Sequence, residues 1–251
     1  MNAPRLLPLA TLGLIFLAAC QPQPPRYSID PSRLDGSAGV VERSVQSIGG
    51  PGAWRGARRI TYVTVLTLYD AQGQAYISRQ THELDLWAGT MSATGVSPRG
   101  IYKVTLDAAD RCVVDPDCAP LGGAELRRVC LAMRLLRGRV LGPLNLLAPP
   151  VTAGVPARVR QAGMDVVRVP VAGEPNGAIA YYFDPSTSLL QFFTVGSEQP
   201  KGGGTLTFYQ WAPTPGGLAF PASIRVVHAG QNVLLGDTLL LEASLSDVII
   251  R

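Results

Sequence analysis

Few residues of this chain have the types and spacing that catalysis or metal binding requires. The run from His82 to Leu86 begins like the helical zinc-protease motif, but it lacks the second histidine and its pattern predicts a β-strand. The sequence contains no serine nucleophile elbow. The glycine-rich run 49–52 precedes a predicted strand, whereas a phosphate-binding loop opens a helix. We therefore predict no enzyme activity, no catalytic residue, no metal site and no cofactor.

The remaining acidic residues have an ordinary structural explanation. They fall in or beside predicted turns, where a carboxylate bonds to nearby backbone N–H groups. The residues in question are Asp70, Asp107, Asp115, Asp117 and Asp184. His228 ends an apolar strand, and we expect it to be a surface or internally satisfied residue.

Cys20 has the sequence context that predicts the most specific chemistry. Arg5 supplies a positive charge, residues 6–19 form an uncharged apolar run, and Leu17-Ala18-Ala19 precedes the cysteine. This pattern predicts a signal peptide over residues 1–19. The tetrapeptide ending at Cys20 resembles the lipobox of bacterial lipoproteins, which implies cleavage before Cys20, a diacylglycerol on its sulfur and an acyl group such as palmitate on its amine. An ordinary signal peptide with a chance cysteine is the alternative.

Residues 20–33 are predicted to form a lipidated tether to a membrane. Several acyl chains on one residue suffice for stable anchoring without a transmembrane helix. Proline and glutamine alternate directly after Cys20, which favours an extended linker. By resemblance to the sorting rule of enterobacterial lipoproteins, Gln21 in place of an aspartate implies the outer membrane. We expect a protein anchored there and facing the periplasm.

Three cysteines remain for pairing in that oxidising compartment. Cys112 and Cys118 are the predicted disulfide, because the Asp-Pro-Asp turn between them can bring their Cα atoms within bonding range. Cys130 is then a buried, inert core residue. A Cys118–Cys130 bond and, more remotely, a metal site stay open as alternatives.

Length and composition predict one large β-rich domain over residues 34–251. Of the 251 residues, 47% are hydrophobic and 16% are charged, which is enough for one sizeable core, and 27 glycines and 21 prolines suit many strands joined by turns. The net charge of +4 is small, and no basic run is interleaved with aromatic residues. We expect no nucleic-acid partner and a monomer.

The N-terminal half alternates between helical and β patterns. Apolar spacing over 34–48 predicts a helix that the following glycines end. Residues 58–69 and 74–87 alternate as a long hairpin, and 100–107 predicts a further strand. Residues 124–140 carry an apolar helical stripe. The apolar, proline-rich stretch 141–156 has no period, and we expect its Leu144, Leu146 and Leu147 to be packed instead of exposed.

The C-terminal half predicts an antiparallel meander. A strand over 164–171 is followed by two aromatic strands that flank the turn Asp184-Pro185, then by strands over 205–211, 218–227 and 238–250. Leu218, Phe220, Ala222, Ile224 and Val226 share one side of the penultimate strand, and its other side carries Ser223 and Arg225. This alternation is typical of a sheet with one buried face.

The order of these elements, with the Tyr181-Tyr182-Phe183-Asp184-Pro185 and Gly217-Leu218-Ala219-Phe220-Pro221 segments, resembles the bacterial lipoprotein-carrier superfamily of LolA, LolB and RseB. The resemblance implies an α+β fold: a half-open antiparallel β-barrel whose concave face is covered by helices and receives acyl chains. It implies an outer-membrane lipoprotein that binds a lipid or a lipidated protein. The alternative is a structural or RseB-like regulatory lipoprotein whose concave face is filled by its own helices. No individual ligand-binding residue is assigned.

Overall fold

The computed structural model describes residues 39–70, 72–147, 151–172, 179–196, 204–229 and 239–251. Its helices are α1 (Val40–Ser47), α2 (Gly50–Gly56), α3 (Gly123–Val140) and the 3-10 helix η1 (Gly142–Leu147). Its strands are β1 (Arg59–Tyr69), β2 (Ala75–Asp85), β3 (Thr90–Ser97), β4 (Gly100–Leu106), β5 (Cys112–Val114), β6 (Ala157–Gln161), β7 (Met164–Pro170), β8 (Ile179–Phe183), β9 (Leu190–Val195), β10 (Gly204–Pro213), β11 (Ala219–Ala229) and β12 (Leu239–Ile250).

Within the described ranges, twelve strands form one open, curved antiparallel sheet in the order β5-β4-β3-β2-β1-β12-β11-β10-β9-β8-β7-β6. All neighbours except β1 and β12 are consecutive in the chain, so two meanders are joined by the first and last strands. Their register runs from Ile60 opposite Ile250 to Leu68 opposite Leu241. The predicted hairpins β1–β2 and β8–β9 and the C-terminal meander are confirmed.

The helices share a core with one face of the sheet. In α3, Val129, Met133, Leu136 and Val140 are buried at helical spacing, which confirms the predicted stripe. This helix contacts β3, β4 and β11. The Arg137 guanidinium is fully buried and donates to the carbonyl oxygens of Gly89 and Asp107 and to the Asp110 carboxylate. These bonds hold α3 against the turns of the N-terminal strands.

The predicted Cys112–Cys118 disulfide is wrong, because Cys112 is bonded to Cys130 with a Cα–Cα distance of 6.0 Å. Cys112 lies opposite Leu106 in the β4–β5 ladder, while the Ala119 amide bonds to the Ile101 carbonyl, five positions further along β4. That spacing separates Cys112 from the Cys118 region by about 16 Å at about 3.3 Å per residue. A disulfide tolerates a Cα separation of about 7 Å at most.

The bond to Cys130 instead fastens the edge strand β5 to α3. Cys130 is buried as predicted, but it is a cross-link and not a free core residue. Among the described residues, Cys118 is a half-buried free thiol. The alternative Cys118–Cys130 bond is therefore not formed either.

Four of the five predicted turn carboxylates bond to their own turns; for Asp117 only the amide does so, donating to the Asp115 carboxylate. The Asp184 carboxylate accepts hydrogen bonds from the Ser186 hydroxyl and from the Ser186 and Thr187 amides. These bonds, that from the Ser186 hydroxyl foremost, lower the pKa of Asp184 to about 2. Asp70, Asp107 and Asp115 accept backbone amides in the same way.

Candidate apolar binding site

Four aromatic side chains form a stack across three neighbouring strands on the side of the sheet where α3 ends. Tyr181 of β8 stacks on Phe193 of β9 with 5.2 Å between ring centroids, Phe193 lies 6.2 Å from Tyr209 of β10, and Tyr209 lies 5.6 Å from Trp211. We call these four residues the aromatic ladder. Three of them are buried and Trp211 is half-buried. The polar atoms of Tyr209 and Trp211 are already hydrogen-bonded, so these two residues contribute apolar ring surface to the ladder.

The 3-10 helix η1 begins directly against this ladder. Gly142 has a φ of +54°, and a Cβ atom built there would lie 2.8 Å from Cη2 of Trp211 and 3.8 Å from Cδ2 of Leu190. The Trp211 indole N–H donates to the Leu190 carbonyl at 2.7 Å, which fixes the ring in this position. The backbone at position 142 therefore passes so close to the indole that only glycine fits there.

The leucines of η1 are buried, which confirms that this stretch is packed. Leu144, Leu146 and Leu147 are 1%, 2% and 2% exposed. Two hydrogen bonds join the segment to the end of α3: the Leu144 amide donates to the Leu141 carbonyl, and the Asn145 side chain donates to the Gly138 carbonyl. The three buried leucines add apolar packing to the hydrogen bonds of a 3-10 helix, whose geometry is poorer than that of an α-helix.

The end of α3 is hydrogen-bonded to the same strands. Arg139 donates to the hydroxyls of Thr207 at 2.8 Å and Thr205 at 3.1 Å, and its guanidinium lies 5.5 Å from the centre of the Phe193 ring. The Tyr209 hydroxyl donates to the Arg139 carbonyl at 2.9 Å. Burial raises the pKa of Tyr209 well above its usual value, so this phenol stays protonated. The end of α3, through Arg139, and the start of η1, through Gly142, thus both lie against the aromatic ladder.

The helical pair α1–α2 packs beside η1. α1 contacts η1 and buries Val40, Val41 and Val45. The two helices are separated at Gly49, whose φ of +121° and close approach to Leu218 exclude any side chain. The predicted helix end at these glycines is confirmed, although α2 begins at once and was not predicted.

A second notable group is a buried polar network on β1, β2 and β4. Nε2 of His82 lies 2.7 Å from Oε1 of Gln80, and its Nδ1 lies 3.1 Å from the Tyr62 hydroxyl. The Gln80 amide nitrogen donates to the hydroxyls of Tyr102 at 3.1 Å and Ser78 at 3.0 Å. Burial lowers the pKa of His82 to about 3, so the imidazole is neutral at physiological pH. His82 lies on a strand, as predicted.

The predicted site residues are only partly covered by these observations. Cys20, the predicted lipidation site, lies outside the described residues. Among the residues with described positions, no group of three or more His, Cys, Asp and Glu side chains could hold a metal ion. Over the same part of the chain, no helix is both long enough and apolar enough to cross a bilayer. The aromatic ladder was visible in the sequence only as β-prone aromatic runs, because nothing local indicated which ring faced which side.

The fold and this surface define a large open antiparallel sheet of the α+β class with short helices packed against an aromatic region. The chain has the fold of a LolA superfamily protein from Nitrosomonas europaea: the TM-score is 0.51 at 11% sequence identity, over 84% of this chain and 92% of that chain. The predicted resemblance is confirmed at the level of fold.

Two further solved structures are similar at lower scores. A DUF1329 family protein from Desulfovibrio piger has a TM-score of 0.46 at 7% identity, over 89% of this chain and 93% of that chain. An outer membrane lipoprotein-sorting protein domain from Vibrio parahaemolyticus has a TM-score of 0.42 at 9% identity, over 88% and 94%. The sequence matches no protein-family model and no curated protein.

Proposed function

We propose that this chain is a non-enzymatic envelope lipoprotein that binds acyl chains between η1 and the aromatic ladder. The observation that carries the proposal is the close approach of η1, at Gly142, to Trp211 and Leu190 of the sheet, together with the near-complete burial of the η1 leucines. An acyl chain can replace leucine side chains because both are held by the same non-directional force.

The magnitudes are compatible with reversible exchange. Removing three buried leucines from their contacts costs about 5 to 9 kcal/mol, and burying roughly a dozen methylenes of an acyl chain returns about 10 kcal/mol. The difference is about 1 to 5 kcal/mol in favour of the guest, before the entropy cost of binding is subtracted. A guest can therefore enter and leave, which is what a carrier requires and a permanent lipid store does not.

We propose further that the curved sheet is a half-open barrel whose helices lie in its concavity. α3 contacts β3 and β4 near one end of the sheet and donates hydrogen bonds from Arg139 to β10. Four strands, β2, β1, β12 and β11, lie between β3 and β10 in the sheet. In a flat sheet these two strands would lie about 24 Å apart at about 4.8 Å per strand. Arg137, which bonds to Gly89 beside β3, and Arg139 are only two residues apart in α3, which supports a sheet that curves around the helix.

We further propose that Cys20 carries acyl groups that anchor a monomer to the outer membrane, facing the periplasm. The support is the sequence pattern that ends at Cys20. Replacing Cys20 with serine is expected to abolish incorporation of radiolabelled palmitate into the protein. Palmitate incorporation that persists in Cys20→Ser, or an unmodified Cys20 in the mass spectrum of the purified protein, would contradict the anchor.

The second candidate is a structural or regulatory lipoprotein that fills its own concavity. The near-complete burial of Leu144, Leu146 and Leu147 favours it. The two candidates differ in whether η1 yields to an apolar guest, and tryptophan fluorescence separates them. The chain has three tryptophans, of which Trp211 lies under η1, Trp87 is half exposed and Trp54 is buried.

A bromine-labelled fatty acid quenches tryptophans that it contacts. We expect quenching in the wild type, the same quenching in Trp87→Phe, and its loss in Trp211→Phe. The Trp87→Phe variant controls for binding to the exposed surface. Absence of quenching in the wild type would favour the self-filled alternative, and equal quenching in all three proteins would place the guest elsewhere.

A further inference from the structure

A pocket of about 240 Å³ lies where the start of α1 meets the turn between β8 and β9. The helix contributes Val40 and Arg43 to its lining, β6 contributes Arg158, and the turn contributes Asp184 and Ser188. We call it the arginine pocket. Its charged lining residues come from three segments that are far apart in the chain, and neither the aromatic ladder nor η1 includes any of them.

Strand pairing places Arg158 on the same side of the sheet as α1. Arg158 is directly opposite Val167 in the β6–β7 ladder, and residues directly opposite one another point to the same face. Val167, which also lines the pocket, packs against the main core, and Val40 of α1 belongs to that core. Arg43 and Arg158 therefore reach one pocket from two elements, a helix and the edge strand of the sheet.

Both guanidinium groups are available to a ligand. Arg43 and Arg158 are exposed, and within the described ranges neither side chain forms a hydrogen bond or an ion pair. A guanidinium presents a planar fork of N–H donors that matches the oxygen atoms of a phosphate. Two such groups in one pocket favour a phosphate over a neutral ligand.

The pocket also contains one negative charge with bonding capacity to spare. The Ser186 hydroxyl and the Ser186 and Thr187 amides all donate to Oδ1 of Asp184, which leaves the lone pairs of Oδ2 for a further donor. The pKa of about 2 keeps this carboxylate ionised at physiological pH. A ligand with a cationic group can pair with Oδ2, whereas a ligand with negative charge alone is repelled by it.

We propose that the arginine pocket binds a phosphoethanolamine group. Its phosphate accepts hydrogen bonds from Arg43 and Arg158, and its ammonium group donates to Oδ2 of Asp184. The pocket has the volume of about eight water molecules at about 30 Å³ each, and the group has about as many non-hydrogen atoms. The apolar lining residues Val40 and Val167 suit the two methylene groups between the charges.

The arginine pocket lies beside the proposed acyl-chain site. The turn that contains Ser188 leads within two residues to Leu190, whose Cδ2 lies 3.8 Å from a Cβ atom built at Gly142 of η1. α1 lines the pocket and also contacts η1. A lipid with its headgroup in the pocket can therefore extend an acyl chain toward η1. Assigning the group to a lipid rests on the function proposed above, whereas binding of the group itself does not.

Nuclear magnetic resonance titrations of the purified protein compare two soluble probes without acyl chains. Glycerophosphoethanolamine carries a phosphate and an ammonium group, and glycerophosphoglycerol carries the phosphate alone. We expect glycerophosphoethanolamine to bind about threefold more tightly, as for one exposed ion pair. Dihexanoylphosphatidylethanolamine then distinguishes the sources of the group. Tighter binding than that of glycerophosphoethanolamine assigns the group to a lipid, and equal binding assigns it to a soluble phosphodiester.

Matched variants test the two kinds of charge separately. Arg43→Gln and Arg158→Gln should each weaken the binding of both probes about threefold, whereas Arg160→Gln, on the same strand but outside the pocket, should leave it unchanged. Asp184→Asn keeps an acceptor oxygen for the turn and should remove the preference for glycerophosphoethanolamine. Asp70→Asn, in the turn between β1 and β2, should retain that preference.

Four results would overturn the proposal. They are equal affinities of the two probes in the wild type, no binding of glycerophosphoethanolamine, wild-type affinity in both arginine variants, and a preference that survives in Asp184→Asn. Binding of glycerophosphoethanolamine by a protein whose tryptophans show no quenching by the brominated fatty acid would refute the acyl-chain function and support the arginine pocket. The two proposals can therefore fail independently.

Discussion

Acid should destabilise this protein through His82, a residue that the sequence marked only as part of an incomplete motif. The imidazole is fully buried between two neutral partners, Tyr62 and Gln80. Burial lowers its pKa from 6.5 to about 3. The unfolded chain therefore binds a proton on this histidine at a pH where the folded protein does not, so stability falls as the pH drops below 6.5 and the loss is complete near pH 3.

The size of this effect follows from the two pKa values. Between pH 7.5 and pH 5.0 the linkage relation gives a loss of about 2 kcal/mol in the free energy of unfolding, and near pH 3 it approaches about 5 kcal/mol. The window from pH 7.5 to pH 5.0 is the useful one because ordinary carboxylates remain mostly ionised throughout it. Acidic residues therefore contribute little to the difference.

Urea unfolding at pH 7.5 and pH 5.0 measures the loss directly. In His82→Asn, which cannot take up a proton at this position, we expect the pH-dependent loss to shrink to a few tenths of a kcal/mol, whatever the variant's absolute stability. The only other histidine, His228, is exposed, so His228→Asn should keep the wild-type loss. If His82→Asn and the wild type lost the same free energy between the two pH values, the buried neutral histidine would be refuted.

Two further substitutions test the packing of α3 and η1. Cys112→Ser opens the 18-residue loop to Cys130 and should lower the free energy of unfolding by about 3 kcal/mol. Cys118→Ser is the control and should change it by less than about 0.5 kcal/mol, as a surface substitution does. Equal effects in denaturant titrations would contradict the observed pairing. Gly142→Ala places a side chain at a positive φ and against Trp211, and it should lower the free energy of unfolding by about 2 to 4 kcal/mol. Its control, Gly163→Ala, has a positive φ but open space around the new methyl group and should lower it by about 1 kcal/mol. Thermal melts showing equal costs would mean that η1 does not press on the indole.

Local patterns were sufficient for most of the fold. The alternation along β1 and β2, the turn at Asp184 and the stripe of α3 each arise from short-range periodicity, and the structure agrees with them. β3 was missed because Thr90–Ser97 consists mostly of small and hydroxylated residues and contributes little hydrophobic alternation. β6 was missed because its exposed arginines resemble a loop.

The site was harder to predict because it depends on contacts between distant segments. The partner of Cys112 follows from how β5 lies along β4, and the turn between Cys112 and Cys118 gave no hint of this. The aromatic ladder needs the register of β8, β9 and β10, and the place of η1 needs the close approach at Gly142. Arg43 and Arg158 likewise line one pocket only because distant segments meet there.

The most direct test of the proposed acyl-chain binding is photochemical labelling with a fatty acid that carries a diazirine on its chain. After irradiation and proteolysis, mass spectrometry identifies the labelled peptides. We predict labels on the segments that contain Gly142–Leu147 and Trp211, and their suppression by excess unlabelled palmitate. Labelling that avoids both segments, or that palmitate does not suppress, would contradict binding between η1 and the aromatic ladder.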